Sequence, residues 1–182
     1  GMSFVESIEY LAKRASIPLP KNEFYKKSPE KEEQQKSYFK LALHAARFFR
    51  DSLQELDSED HVWKYIEKRG LTRETVETFK LGYAPSEWSS FSDYLQSIKA
   101  PMSFAAQLGL IKQKNNGYFD IFRDRLMFPI LSPKGDVVGF GGRSLTEENQ
   151  PKYLNSPESP IFHKGRILYG LHEDRKSTRL NS

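Results

Sequence analysis

Helical spacing of apolar residues extends from the start of the chain to about residue 111. A capping box of Ser3 and Glu6 precedes apolar positions that stop at Pro18, which predicts a first helix and linker over residues 1–20. Residues 21–36 mix both charge signs and are interpreted as a solvated linker. A longer amphipathic helix, ending near Leu53, is predicted from six apolar positions: Tyr38, Leu41, Ala42, Ala45, Phe48 and Phe49.

Shorter helix signals then follow one another. One predicted helix begins at Ser58 and ends at Gly70, a residue type that commonly terminates helices. The next begins at the capping residue Thr72 and closes near Gly82. The stretches "SSFSDYLQSI" and "SFAAQLGLI" predict two more short helices, so residues 38–111 form the helical half of an α+β fold. Four aromatic residues are expected in its core: Phe48, Phe49, Trp63 and Trp88.

The second half of the chain has short apolar runs separated by turn residues. Asn116 and Gly117 mark a turn, and "RLMFPIL", "SPKGD" and "VVGFGG" together predict a β-hairpin within a small mixed or antiparallel sheet. Pro129 lacks a backbone N–H, so its strand is predicted to lie at a sheet edge or to carry a bulge. The glycines of the return strand are expected to flatten or bend it, or to admit a close neighbour: Gly139, Gly141 and Gly142.

Composition limits the class of protein. The 182 residues, of which 37% are hydrophobic, suffice for one large domain or two small lobes. No apolar run approaches the roughly 20 residues that a membrane helix needs, and no secretory signal is recognisable, so the chain is expected to contact no membrane and to fit the cytoplasm. Because the chain has no cysteine and its four histidines fit no ligand spacing, no metal is expected on it.

The charge distribution points to the second half. A net charge of +4 fits an ordinary solvated surface as well as a polyanionic partner. In a strand, Arg123 and Arg125 of "FRDRLMF" would share one face, with Asp124 on the other. Such a pair is either a solvated face or a contact for nucleotide or template phosphates, which arginine can bind through two parallel hydrogen bonds.

The stretch "PKYLNSPESPIFHKGR", residues 151–166, combines stiff prolines with residues that favour burial: Tyr153, Leu154, Ile161 and Phe162. We therefore expect a packed loop that presents cations. The segment "GFGGRS" matches neither the dinucleotide nor the Walker spacing, which favours structural glycines that leave Arg143 projecting from a strand. No triad or metal cluster follows from spacing, and the acids around Asp60 fit a helix start.

Three stretches together resemble one family. "YFDIFRDRLMFPILSPKGDVVGFGGRSL", "PKYLNSPESPIFHKGRILYGL" and, upstream, "YIEKRGLTRETVETFKLGYAP" are similar to the N-terminal lobe of the RNA polymerase core of bacterial DNA primases. The resemblance implies a nucleotidyltransferase that makes short RNA primers on single-stranded DNA from nucleoside triphosphates. It implies that residues 21–174 form this lobe, while the polar tail 175–182 departs from the family pattern and is assigned no function.

The same resemblance implies which parts of the enzyme lie outside this sequence. These are a zinc-binding domain before residues 1–20, a Toprim lobe that holds Mg²⁺ or Mn²⁺, and a C-terminal region that docks on the replicative helicase. The fragment alone is therefore expected to make no RNA. A rival interpretation is a stand-alone module that binds single-stranded nucleic acid or nucleotides without catalysis, and another is an interaction domain whose basic ridge meets an acidic protein.

Roles for the cations also follow from the resemblance, and none of them is catalytic. Arg69, Arg143 and Lys152 match positions that handle the incoming nucleotide or its triphosphate. A basic ridge along the template and the RNA:DNA hybrid is implied for five further residues: Arg123, Arg125, Asn155, Lys164 and Arg166.

Overall fold

The computed structural model describes residues 10–11, 13–14, 28–115 and 117–166. The chain divides into two compact units, residues 1–34 and 35–182. Of the predicted first helix, only residues 10–11 and 13–14 are described, and they are helical. The remainder of that helix and the tail 175–182 lie outside the described residues.

Helices account for most of the described chain before residue 108. Their bounds are α1 Pro29–Gln54, α2 His61–Lys68, α3 Arg73–Thr78, α4 Ser90–Ser97 and α5 Met102–Gln107. The two short helices predicted around residues 90–107 are confirmed as α4 and α5. The burial of Phe49 and Trp63 is confirmed as well, and Phe48 is partly buried.

Helix α1 begins inside the stretch interpreted as a linker, so that interpretation is wrong from Pro29 onward. The hydroxyl of Ser28 accepts a hydrogen bond from the backbone N–H of Lys31 at 3.4 Å. Pro29 occupies the first helical position, and two acids, Glu30 and Glu32, lie in the first turn, where they complement the helix dipole. Local start signals therefore outweigh the mixed charge of the segment.

The ends of α2 and α3 follow from their caps. Asp60 accepts from the N–H of Val62 at 2.8 Å, so α2 begins later than the predicted Ser58. Gly70, with φ +71°, ends α2 as predicted. Thr72 caps α3 as predicted, but α3 ends at Thr78 rather than near Gly82, because Lys80 turns the chain with φ 52°.

Six described strands form two antiparallel sheets. The larger sheet has the order β1 Gly82–Ala84, β4 Arg125–Leu131, β5 Val137–Ser144 and β6 Tyr153–Asn155, and β2 Ile111–Lys114 pairs with β3 Gly117–Asp120. The predicted hairpin is confirmed as β4–β5. A turn that includes Asn115 follows β2 and precedes β3, and Asn116 of the predicted turn lies outside the described residues. Strand β1 had no counterpart in the sequence prediction.

Pro129 lies in an internal strand, so the edge prediction is wrong for β4 as a whole. However, β1 pairs only with Arg125, Leu126 and Met127, and Pro129 lies beyond the end of β1. The register with β5 shifts between Ile130 and Leu131, which places an irregularity close to the predicted bulge. The missing N–H of Pro129 therefore interrupts no bond to β1.

Two hydrophobic clusters enclose the larger sheet. One face, with Met127 and Phe140, packs against α1, α4 and α5. Helices α2 and α3 pack against Leu126 and β1 on the opposite side. Tyr153 and Asn155 are exposed on that same side, so the β5–β6 end of this face stays open to a ligand.

The glycines of β5 provide space for neighbouring side chains, within a strand that pairs regularly from Gly139 to Ser144. A Cβ on Gly142 would lie 2.8 Å from Cδ1 of Phe122 and 3.1 Å from Cδ of Arg125. On Gly139 it would lie 3.3 Å from Cδ1 of Phe162. The expectation of a close neighbour is confirmed.

Gly82→Ala is expected to destabilise the fold, because the new Cβ would lie 2.6 Å from the backbone carbonyl carbon of Phe49. Overpacking against backbone costs about 1–3 kcal/mol. Gly117→Ala is the matched control, because no atom lies within 4 Å of its added Cβ. Urea denaturation of both variants checks this, and equal free energies of unfolding would contradict the close approach of β1 to α1.

Candidate nucleic-acid interface

Three cations from distant parts of the chain line one cleft. Arg69 follows α2, Arg143 belongs to β5 and Lys152 precedes β6. They border a cleft of about 360 Å³, which we call the basic cleft. Its other lining residues are Tyr65, Ser144, Leu145, Thr146, Glu147 and Gln150.

Aromatic rings position the two guanidiniums of this cleft. Arg143 donates from Nε to the hydroxyl of Tyr65 and from a terminal nitrogen to the hydroxyl of Tyr153. Its guanidinium carbon lies 5.0 Å from the Tyr153 ring centroid, and that of Arg69 lies 5.2 Å from the Tyr65 ring centroid. Within the described residues neither arginine forms an ion pair, so both charges are available to an anion.

Lys152 and Tyr153 both face solvent. The carbonyl oxygen of Lys152 accepts from the N–H of Ser144 at 2.9 Å, which fixes the backbone while its side chain is exposed. The expected burial of Tyr153 is wrong, since the residue is 56% exposed. It pairs with Arg143 across β5–β6 and therefore projects from the open face. Ile161 and Phe162 are buried as expected.

An apolar cleft of about 460 Å³ adjoins the basic cleft on the same face. It is lined by Phe128, Ile130, Gly141, Gly142, Tyr153, Asn155, Phe162 and Lys164. Tyr153, whose hydroxyl accepts from Arg143, connects the two clefts. Asn155 and Lys164, two of the predicted ridge residues, thus lie together. Arg166 is the last residue of the 3₁₀ turn Lys164–Arg166, and its side chain lies outside the described part of the structure.

The loop that carries Lys164 is fastened by Glu158. The carboxylate of Glu158 accepts from the backbone N–H of Lys164 at 2.8 Å and lies 3.2 Å from Nδ1 of His163. The N–H of Lys164 first, and then His163, hold the pKa of Glu158 below its usual value. Lys164 is therefore presented at the cleft by a preformed turn.

Arg123 and Arg125 do not share a face, which corrects the strand interpretation. Asp124 has φ 48° and turns the chain just before β4 begins. Arg125 is 2% exposed, and its guanidinium donates to the carbonyl oxygen of Pro151 at 2.8 Å and to Oδ1 of Asn149 at 3.3 Å. Burial, and then the charge of Arg123, lower its pKa. Because its donors are enclosed by the protein, Arg125 does not lie on an exposed ridge, and its expected role along the template stays a prediction.

Arg123 belongs to a surface group of aromatic and basic residues that we call the Trp88 cluster: Trp88, Lys114, Phe119 and Arg123. Trp88 and Lys114 are exposed, and Phe119 and Arg123 are half-buried. Its guanidinium carbon lies 4.6 Å from the Trp88 ring centroid, and the rings of Trp88 and Phe119 stack at 4.8 Å. The ammonium of Lys114 lies 5.8 Å from the Trp88 ring centroid. Trp88 is 52% exposed, so the core prediction for it is wrong.

Sequence reasoning assigned Tyr65 no role in the site and did not single out Asn149. Asn149 donates to the carbonyl oxygen of Arg123 at 2.8 Å and accepts from Arg125, which ties the loop before Lys152 to the start of β4. Interleaving of aromatic and basic residues, as in Tyr65 and Arg69, is the signal that identifies such surfaces. Among the described residues no group of three or more potential ligands converges on a metal position, and no helix is long and apolar enough to span a bilayer.

Comparison with known proteins identifies the family. The profile of the DNA primase catalytic core, N-terminal domain, matches residues 48–175. The DNA primase of Halalkalibacterium halodurans is 38% identical over 181 residues, which cover 98% of this chain and 30% of the relative. The chain belongs to the DNA primase family.

Two solved primase structures share the fold. One, described as the DnaG primase catalytic domain bound to ssDNA, superposes with a TM-score of 0.74 at 37% identity and covers 80% of this chain and 47% of that chain. The Aquifex aeolicus primase, comprising zinc-binding and RNA polymerase domains, gives a TM-score of 0.72 at 31% identity over 99% of this chain and 42% of that one. This chain spans about 30% of the length of the curated primase that it matches.

Arg125→Ala in this primase chain is expected to lower the free energy of unfolding by about 1–3 kcal/mol, because it removes the donors to Pro151 and Asn149. Tyr153→Ala should change it by only about 0.5 kcal/mol, since the ring is exposed. Urea denaturation of the two variants measures both values. A Tyr153→Ala variant as unstable as Arg125→Ala would show that the ring belongs to the core.

Proposed function

We propose that this chain supplies the nucleotide-phosphate and template contacts of a bacterial DNA primase, an enzyme that makes short RNA primers on single-stranded DNA. The observation that carries the proposal is the convergence of Arg69, Arg143 and Lys152 on one cleft. Within the described residues these three cations form no ion pair. An unneutralised cluster of this kind matches the charge of a triphosphate.

Arg143 and Lys152 would each have a distinct role in phosphoryl transfer. The Arg143 guanidinium, fixed by two tyrosine hydroxyls, offers its remaining donors to phosphate oxygens in a set geometry. Lys152, exposed beside it, acts as a point charge that follows the phosphates as charge develops. Mg²⁺ or Mn²⁺, bound by acids of a Toprim lobe outside this chain, would activate the attacking hydroxyl.

The template and the RNA:DNA hybrid are assigned to the surfaces beside the basic cleft. The apolar cleft offers Tyr153 and Phe128 to bases and Lys164 with Asn155 to the backbone. The Trp88 cluster adds an exposed ring flanked by Arg123 and Lys114. Rings combined with cations suit single strands, because every base has a stacking face. A solved relative described as bound to ssDNA supports this assignment.

The proposal extends to the partners of the whole enzyme. A zinc-binding domain, as the description of the Aquifex aeolicus relative includes, would precede this lobe. The replicative helicase would bind a C-terminal region, and the enzyme would act in the cytoplasm, where replication takes place. Without the metal-binding lobe, the chain alone makes no RNA.

Lys152→Ala is expected to reduce priming by at least about tenfold when this chain replaces the matching segment of the Halalkalibacterium halodurans primase, because one triphosphate contact is lost. Arg143→Lys should retain part of the activity, since lysine keeps the charge but not the planar contact. Lys99→Ala, at an exposed position outside both clefts, is the control. The readout is primer synthesis from labelled nucleotides, with thermal melting to verify folding.

Normal priming by the Lys152→Ala chimera would contradict the proposal that Lys152 contacts the nucleotide triphosphate. If the unmodified chimera fails to prime while the chain still binds nucleotides and single strands, the stand-alone binding module becomes the better account.

Trp88→Ala is expected to weaken binding of the chain to a fluorescent oligothymidine by about 1–3 kcal/mol, the range for loss of one base-stacking ring. Affinity should fall with salt at a log–log slope of roughly 0.7 for each phosphate neutralised. Phe79→Ala, another exposed ring that lies outside both clefts and the Trp88 cluster, is the control. Fluorescence polarisation across a salt series measures both effects. The template assignment would be contradicted if the affinity neither changed with salt concentration nor fell in the Trp88→Ala variant.

A further inference from the structure

A third cleft lies on the other side of the sheet from the two clefts already described. It has a volume of about 560 Å³ and lies between α1 and the turn that joins β4 to β5. Pro129 lines it, whereas Phe128 lines the apolar cleft. Successive residues of a strand point to opposite faces, so the two clefts are separate surfaces. We call this one the α1 cleft.

Cations dominate the rim of the α1 cleft. Lys40, Arg47 and Arg50 of α1 line it together with Lys80, which follows α3. Within the described residues Lys40, Arg47 and Lys80 form no ion pair, and Arg50 has only an exposed contact of 3.3 Å with its neighbour Asp51. The cleft therefore carries unneutralised positive charge.

Two titratable groups beside these cations affect the net charge of the α1 cleft. Burial first, and then Lys40 and Arg47, lower the pKa of His44, which lies between them on α1. Asp136 also lines the cleft, and its carboxylate lies 3.3 Å from the hydroxyl of Ser132. One acid against four cations leaves the cleft net positive.

Apolar surface occupies the middle of this charged rim. Leu43 lies three residues after Lys40 and four before Arg47, and it is 42% exposed. Residues 40, 43, 47 and 50 are separated by three, four and three positions, so they lie along one face of α1. A second helix packs along a face with this spacing. Val137 adds half-buried apolar surface on the opposite wall, beside the buried Pro129.

The combination distinguishes a protein partner from a nucleic acid. The apolar side chain of Leu43 offers a phosphate backbone no favourable contact. The aromatic ring in the described lining of the α1 cleft is that of Phe39, which is half-buried, unlike the exposed rings of Trp88 and Tyr153. An acidic helix that carries leucine-like side chains on one face satisfies both the cations and Leu43. We propose that the α1 cleft is a docking site for an acidic amphipathic helix of a partner protein.

The test uses the full chain and a fluorescein-labelled helical peptide built from LEELEEE heptads. Matched probes are the same peptide with serine for leucine, the same peptide with lysine for glutamate, an oligothymidine and inorganic tripolyphosphate. The variants are Lys40→Glu with Arg47→Glu, the milder Lys40→Ala with Arg47→Ala, and Leu43→Ser. Lys99→Glu, exposed and outside the α1 cleft, is the charge control.

The acidic leucine peptide should bind, and the double glutamate variant should weaken it by at least about tenfold, with a smaller loss for the double alanine variant. Leu43→Ser should weaken it several-fold, and Lys99→Glu should leave it unchanged. Oligothymidine binding should be the same in all four variants, because the surfaces proposed for nucleic acid lie elsewhere. Thermal melting verifies that each variant is folded.

Three results would overturn the proposal. The first is absence of peptide binding, or binding that survives both double variants. The second is equal binding of the serine peptide, which would reduce the cleft to unspecific charge attraction. The third is loss of oligothymidine or tripolyphosphate binding in the double variants, which would make the α1 cleft a phosphate surface.

Discussion

A buried guanidinium holds the candidate site together. Arg125, the first residue of β4, donates to Pro151 and Asn149, and Asn149 donates in turn to the backbone of Arg123. Hydrogen bonds from a charged donor are stronger than neutral ones, so they fix the loop that leads to Lys152. Glycine suits position 142 of this arrangement, because a Cβ there would lie 2.8 Å from Cδ1 of Phe122 and 3.1 Å from Cδ of Arg125. A glycine of β5 and a buried cation thus determine where Lys152 lies.

The other arginines of the site contact aromatic rings and form no ion pair within the described residues. Tyr65 and Tyr153 contact Arg143, Tyr65 contacts Arg69, and Trp88 contacts Arg123. A carboxylate partner would neutralise each charge, whereas a ring orients the guanidinium and leaves its charge to an incoming anion. The family of the chain explains why an anion is expected there. In the function proposed here, the basic cleft and the apolar cleft form one surface for triphosphate, base and backbone.

Local signals in the sequence were sufficient for much of the fold. The β4–β5 hairpin and the Thr72 and Gly70 caps are determined by nearby residues, and each was predicted. Strand β1 was missed because three residues have no periodicity, and its place depends on pairing with β4. The start of α1 was missed although Ser28 and Pro29 signal it.

The candidate site was harder to predict because burial is decided by distant residues. Strand alternation was assumed through Asp124, whose φ of 48° breaks it, and Arg125 therefore turned inward. Trp88 and Tyr153 are large rings that propensity assigns to a core, yet the sheet leaves both exposed. The convergence of Arg69, Arg143 and Lys152 came from a family resemblance and is visible only in the folded chain. Their role toward nucleotides stays a prediction.

The most direct measurement is an NMR titration of the ¹⁵N-labelled chain with ATP, following the side-chain Nε–Hε resonances of its arginines. The account predicts shifts for Arg69 and Arg143, which line the basic cleft, and little change for Arg47 and Arg50 of the α1 cleft. The account would be contradicted if only the resonances of Arg47 and Arg50 shifted and that of Arg143 did not change at saturating ATP.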